Sequence, residues 1–286
     1  MGEQEIRSLE QGCAFVDLSA WRRTLVTGSD AAAWLNDLVT NRVDNLGLGE
    51  ARRSLLLSRT GHVRADVHVG RVRKGLMLLQ DPVQPEAIDR LLAPYVLSSD
   101  VAMEDRSGAL SLFAVPVGAA PEDLLRPFPF EGFAGALIPS ERHGETAASL
   151  RASGLAEAAE GDLEPWRIRR GHPRFGVDFG QESVPAEAGL DAVIDATKGC
   201  FLGQEAVAKI RNLGHPPWVV LALRSEGPVQ PGQPVMAGDE PAGHVTGVAP
   251  DESGWAVLAR IRWERRDAEL RTAGGEALPR VTGVPS

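Results

Sequence analysis

Lys198-Gly-Cys-Phe-Leu-Gly-Gln-Glu205, preceded by Asp195-Ala-Thr and running on through Ala206 to Gly214, gathers the scarcest residues of the chain. The sequence holds two cysteines, Cys13 and Cys200, and three lysines, Lys74, Lys198 and Lys209. One cysteine and two of the lysines fall in this window. Gly199 and Gly203 flank Cys200, a helical pattern follows, and Gly214 with Pro216-Pro217 closes it. This pattern predicts a glycine-relaxed turn feeding a helix, whose free N–H groups and positive dipole end favour anions. A thiol in that place, beside Lys198, would have its thiolate form favoured. The alternative for Cys200 is a small buried hydrophobe. Gln204 and Glu205 fall in the first helical turn, where they cap the helix or hydrogen-bond a ligand's amide edge. Lys209 and Arg211 form an anion-binding rim or an ordinary basic helix end.

The chain of 286 residues is long enough for two or three domains, and 43% hydrophobic with 24% charged residues is the balance of a globular protein. No apolar run reaches the ~20 residues that span a bilayer. The polar, acidic N-terminus lacks the n-region and h-region of a signal peptide, so a cytoplasmic protein is expected. Two distant cysteines make no disulfide framework, and Cys/His metal spacing is absent. A net charge of −9 speaks against broad nucleic-acid binding.

Around the opening stretch, short extended segments (14–18 and 24–27) precede Gly28-Ser-Asp30, an N-cap for a helix over 31–39. Strands are expected over 54–57, 62–72 and 76–79, turned at Arg59-Thr-Gly61 and Arg73-Lys-Gly75. In the middle strand Val63, Ala65, Val67 and Val69 alternate with His62, Arg64, Asp66 and His68, giving one apolar and one polar face. Helices are expected over 85–93, 121–125 and 144–152, with strands over 101–105, 109–117 and 134–138. Asp162 to Gly171 reads as a short helix with an Asp cap and a Gly stop. Beyond Pro217, strands over 218–224, 234–236, 244–248, 255–260 and 269–271 predict a small C-terminal barrel or sandwich. The fold class is α+β with an all-β cap.

Phosphate-loop, dinucleotide-fingerprint, nucleophile-elbow and H-E-x-x-H motifs are missing, which disfavours NTPases, Rossmann dehydrogenases, hydrolases and zincins. His62, Asp66 and His68 share a strand face, but Arg64 between them would repel a metal cation.

With the string Lys198-Gly-Cys-Phe-x-Gly-Gln-Glu205 in hand, the chain resembles the YgfZ family of folate-binding proteins, relatives of the tetrahydrofolate-dependent glycine-cleavage T-protein. Gly28 to Leu35 with Leu38-Val-Thr-Asn41, Arg167 to Gly171, Pro185 to Leu190 and the C-terminal β-rich region resemble the same superfamily in order. The resemblance implies a multi-domain T-protein-like body with ferredoxin-like α/β parts and a C-terminal barrel, ring-like around a central cleft. Its parts would be residues 1–48 and 143–214 as a discontinuous folate-binding body, 49–142 as a second α+β domain and 215–286 as the barrel. It further implies tetrahydrofolate or a folate derivative as ligand, and iron–sulfur enzymes or their assembly machinery as partners. Cys200 would be the working thiol, with Asp66, Arg169, Lys198, Gln204 and Glu205 at the folate. The alternative is a tetrahydrofolate-dependent aminomethyl- or methyltransferase using Asp66. Two departures count against it. The T-protein's Asp-Asp pair reads Ala65-Asp66 here, and its pterin-gripping glutamate gives way to Arg169-Arg170-Gly171. A guanidinium accepts no hydrogen bond from a pterin, but it suits the folate's glutamate tail.

Overall fold

The computed structural model describes residues 3–118, 124–129 and 132–281. The chain divides into two compact units: Met1–Ser58 with Arg64–Asp162 and Val193–Leu202, and Arg59–Val63 with Leu163–Ala192 and Gly203–Ser286.

In the first unit α1 (Glu3–Glu10) turns Ile6 and Leu9 inward and leads to β1 (Ala14–Asp17). There follow β2 (Arg22–Thr27), α2 (Ala31–Asn36), β3 (Ala51–Leu57), β4 (Val63–Val72), β5 (Gly75–Gln80), α3 (Ile88–Leu92) and β6 (Ala102–Asp105). These strands form one sheet in the order β3-β4-β5-β2-β6. Ala65, Val67 and Val69 of β4 pack with Trp34 and Leu35 of α2 and Ile88 and Leu92 of α3, as the alternation in β4 requires. Its polar face is covered as well, since Asp66 and His68 are both buried. The unit continues with β7 (Leu110–Pro116), β8 (Leu124–Leu125), β9 (Phe133–Pro139), α4 (His143–Ala152) and β10 (Ala156–Ala158). With β1 these strands make a mixed sheet, β10-β1-β7-β9-β8, in which β1 and β10 run parallel. Phe15, Phe113, Val115, Ala147 and Leu150 form the core between this sheet and α4.

The second unit holds α5 (Leu163–Arg169), α6 (Gln204–Leu213), β11 (Trp218–Ser225), β12 (Pro234–Ala237), β13 (Glu240–Asp251), β14 (Gly254–Arg262) and β15 (Leu270–Thr272). All five strands expected beyond Pro217 are present, in the order β11-β14-β13-β12-β15. The sheet curls into a half-barrel whose edges are joined by the C-terminal segment. Leu278 N donates to Leu270 O at 2.9 Å, and Arg224 N donates to Pro279 O at 2.9 Å. Ile168 of α5 buries against Val220, Ala249 and Leu258 of the sheet. The glycine stop of α5 forms as expected, with Gly171 N bonded to Ile168 O at 3.0 Å and His172 N to Arg167 O at 2.9 Å.

Several local expectations are corrected. The helix from Ala31 ends at Asn36, and Asp30 does not cap it, because its carboxylate accepts from Asp100 N at 2.8 Å. The helix expected from Pro85 starts only at Ile88, because side chains capture the preceding loop: Gln80 Nε2 donates to Glu86 O at 2.9 Å. Asp162 turns back to accept from Ala159 N at 2.9 Å. Of the helix expected over 121–125, residues 121–123 lie outside the described residues and 124–125 form strand β8 on β9.

Candidate functional site

The loop that carries the opening stretch is shaped by Asp195. Its Oδ1 accepts from Thr197 N (2.8 Å), Thr197 Oγ1 (2.6 Å) and Lys198 N (3.1 Å), and Oδ2 lies 3.3 Å from Arg42 Nε. The bonds from Thr197, with help from Lys198 N and Arg42, hold this carboxyl below the usual range. Lys198 is thereby turned inward. It is 5% exposed, and its Nζ donates to Asn36 O (2.5 Å), Val39 O (2.7 Å) and Asn41 O (2.9 Å). These carbonyls end α2 and begin the Thr40-Asn41 turn, so the ammonium serves as their cap. Burial lowers its pKa to about 8. An ammonium has three donors and all are used here, so none is left for the Cys200 thiol. Phe201 lies with its ring 5.6 Å from Nζ, and Cys200 between them in sequence is exposed with a free thiol.

The Thr40-Asn41 turn links this loop to the strands. Thr40 Oγ1 donates to Val193 O (2.9 Å) and accepts from Leu55 N (2.9 Å), while Asn41 Nδ2 donates to Arg53 O (3.1 Å). Arg53 grips Asp66 bidentately, with Nε 3.0 Å from Oδ1 and Nη2 2.5 Å from Oδ2. A connected path therefore runs from Lys198 through Asn41 and Arg53 to Asp66. Further along the same face of β4, His68 stacks edge-on against Phe128, with ring centroids 4.9 Å apart. Its Nδ1 is buried without a partner among the described residues. Burial, against the attraction of Asp66, lowers the His68 pKa to about 4, so the ring is neutral at neutral pH.

Beside Arg53 opens a cleft of about 400 Å³ lined by Asn41, Glu50, Arg52, Arg53, Arg126 and Val193. Arg52 is tied to Arg42 O (2.6 Å) and Asn45 Oδ1 (2.7 Å), whereas the Arg126 side chain has no partner among the described residues. Three guanidinium groups and the Glu50 carboxylate line this concavity; Arg53 is paired with Asp66, so Arg126 is the guanidinium left open to a carboxylate-bearing ligand.

The second unit carries the other expected site residues. Arg169 Nε donates to Pro250 O at 2.6 Å. Gln204 and Glu205 open α6 behind Gly203, whose φ of +84° is left-handed and which, as glycine, has no side chain to cap the helix. Sequence reading missed a buried cluster one turn before Arg169. Arg167, 4% exposed, bonds Asp178 Oδ2 (2.7 Å) and both oxygens of Glu164 (Nη2 at 2.5 Å, Nε at 2.8 Å). Asp178 also accepts from Arg174 N at 2.8 Å and from Thr246 Oγ1 at 2.5 Å. Burial pushes the Glu164 carboxyl up, but the bonds and charges of Arg167 and Arg174 outweigh it and hold the pKa below the usual value. A signal for Arg53 did exist: folding the chain back at Arg59–Gly61 sets position 53 against position 66. Arg167 falls in a segment that the family resemblance picks out, but nothing in the sequence marks Arg126 or joins Arg167 to Asp178.

Residues 1–129 match the family model of the GCVT N-terminal domain. A chloroplastic candidate transferase of Arabidopsis thaliana is 25% identical over 88% of this chain and 65% of its own length. The chain thus spans less than two thirds of that relative. The aminomethyltransferase of Thermosynechococcus vestitus is 26% identical over 85% of this chain and 74% of its own. The crystal structure of the glycine cleavage system aminomethyltransferase T from Bartonella henselae superposes with a TM-score of 0.82 at 17% identity, covering 98% of this chain and 89% of that one. The fold is thus T-protein-like α+β, and these likenesses support the T-protein superfamily for this chain. Among the described residues no helix is long and apolar enough to cross a membrane.

Proposed function

We propose that this chain is a tetrahydrofolate-binding accessory protein of the YgfZ kind, acting in the cytoplasm on iron–sulfur enzymes or their assembly machinery through the Cys200 thiol. The observation that carries this reading is the division of labour in the signature loop. Lys198 is consumed in anchoring the loop, while Cys200 is left exposed and free for an external partner. The cleft beside Arg53 fits the anionic tail of a folate: Arg126 would hold a tail carboxylate, and Asn41 would add a hydrogen-bonding side chain. A bound folate would supply one-carbon chemistry. The chain's own residues bind and orient it.

The transferase alternative needs Asp66 as a charged group at the folate amine. The bidentate grip of Arg53 neutralises that carboxylate and occupies both its oxygens, which disfavours the alternative. Cys200→Ala is expected to retain tetrahydrofolate binding yet fail to restore iron–sulfur enzyme activity in cells lacking the protein. Turnover of a one-carbon donor with tetrahydrofolate, abolished by Asp66→Ala, would establish the transferase reading instead.

A further inference from the structure

A second cleft lies at the far end of the β4–β5 hairpin, within the first unit and built from residues separate from those around Asp66. Its volume is about 350 Å³, within the range of small-molecule sites. One wall is the face of the first sheet. Leu25, Met77 and Gly70 are neighbours across the adjacent strands β2, β5 and β4. Gly70 lets the Leu125 side chain of the facing sheet pack directly onto this row: a Cβ there would lie 2.5 Å from Leu125 Cδ1. The facing wall is Leu110, Leu125 and Leu137 of the second sheet. Met77 and Leu125 are each 2% exposed, so the deep part of the cleft is apolar.

The rim has the opposite character. Arg71, Arg73, Lys74 and Arg106 surround the opening, on a chain whose net charge is −9. Arg106 is paired with Glu104 at 2.8 Å. The side chains of Arg71 and Lys74 engage no partner among the described residues. Unspent cations around a leucine-lined pocket complement one kind of small ligand, an apolar body ending in an anion. We propose that this cleft binds a small amphipathic anion, a medium-length acyl chain bearing a carboxylate, with the chain between the sheets and the carboxylate between Arg71 and Lys74. The proposal does not depend on the folate reading, because the two clefts share no lining residue.

Titration of the full chain with decanoate, followed by calorimetry, tests it. Saturable binding is expected, at least about tenfold tighter than with decanol, which lacks the charge, or butyrate, which lacks the tail. The paired substitutions Arg71→Glu, at a half-buried position, and Lys74→Glu, at an exposed one, should weaken decanoate binding by about tenfold or more, with unfolding midpoint unchanged. Leu110→Trp, which fills the cleft while keeping the rim charges, should also abolish binding. Equal affinity for decanol and decanoate would overturn the proposal. So would undiminished binding by the charge-reversed variant, or no saturable decanoate binding up to about 1 mM by the folded protein. Capture of an acidic amphipathic peptide without decanoate binding would likewise overturn it.

Discussion

The two units each bury an arginine–carboxylate cluster, and the clusters differ in what they leave over. Around Arg167 the partners close on one another: Asp178 accepts from Arg167, Arg174 N and Thr246, and Glu164 accepts from Arg167 and Arg174. Around Arg53 the pair with Asp66 borders a cleft, Arg126 carries an unmatched charge, and His68 keeps an orphaned nitrogen. A satisfied buried network fixes structure and offers a ligand nothing, whereas charge and polar atoms left over beside a cavity are available for binding. Breaking the first should therefore cost stability, and changing the second should cost ligand affinity.

The largest stability effect is expected from Asp178→Ala, which strands the Arg167 guanidinium in the interior and should cost about 3–5 kcal/mol by urea unfolding. A loss below ~1 kcal/mol would mean that the cluster does not hold α5 in place. Next comes His68. Its folded pKa, about 4, lies below the ordinary histidine value, so the unfolded chain binds the proton first as pH falls. Stability from the neutral ring is therefore fully present above about pH 6.5 and is lost between there and about pH 4, by about 3 kcal/mol in all. Stability curves at a series of pH values check this, and His68→Phe, which keeps an aromatic ring against Phe128, should flatten the profile over that window. Lys198→Met should cost about 1–3 kcal/mol through the carbonyls of Asn36, Val39 and Asn41 left without a donor. If it costs nothing, the anchoring role is wrong. Gly203→Ala is smaller, about 1–2 kcal/mol for an alanine held at a left-handed φ, read from the same unfolding midpoints.

Much of this fold is legible in the sequence where local chemistry decides it. The alternation of Val63, Ala65, Val67 and Val69 with polar residues set the two faces of β4, and the glycine and proline turns after Pro217 marked the C-terminal strands. The site is less legible because its partners are remote. Lys198 is near Cys200 in the chain, but three backbone carbonyls at and beyond the end of α2 accept from all of its ammonium donors. Asp66 was visible as a lone acid on a strand, while Arg53 became its partner only through the hairpin. Arg126 sits just before Pro127 on a segment whose placement no pattern announces.

Calorimetric titration with tetrahydrofolate tests most directly whether the open cluster beside Arg53 is a folate site. The wild-type chain and Cys200→Ala should bind with the same affinity. Arg126→Ala, whose stability should stay within about 0.5 kcal/mol of wild type, should bind about tenfold or more weakly. Absence of saturable binding by the folded wild type, or an affinity that Arg126→Ala leaves unchanged, would contradict it.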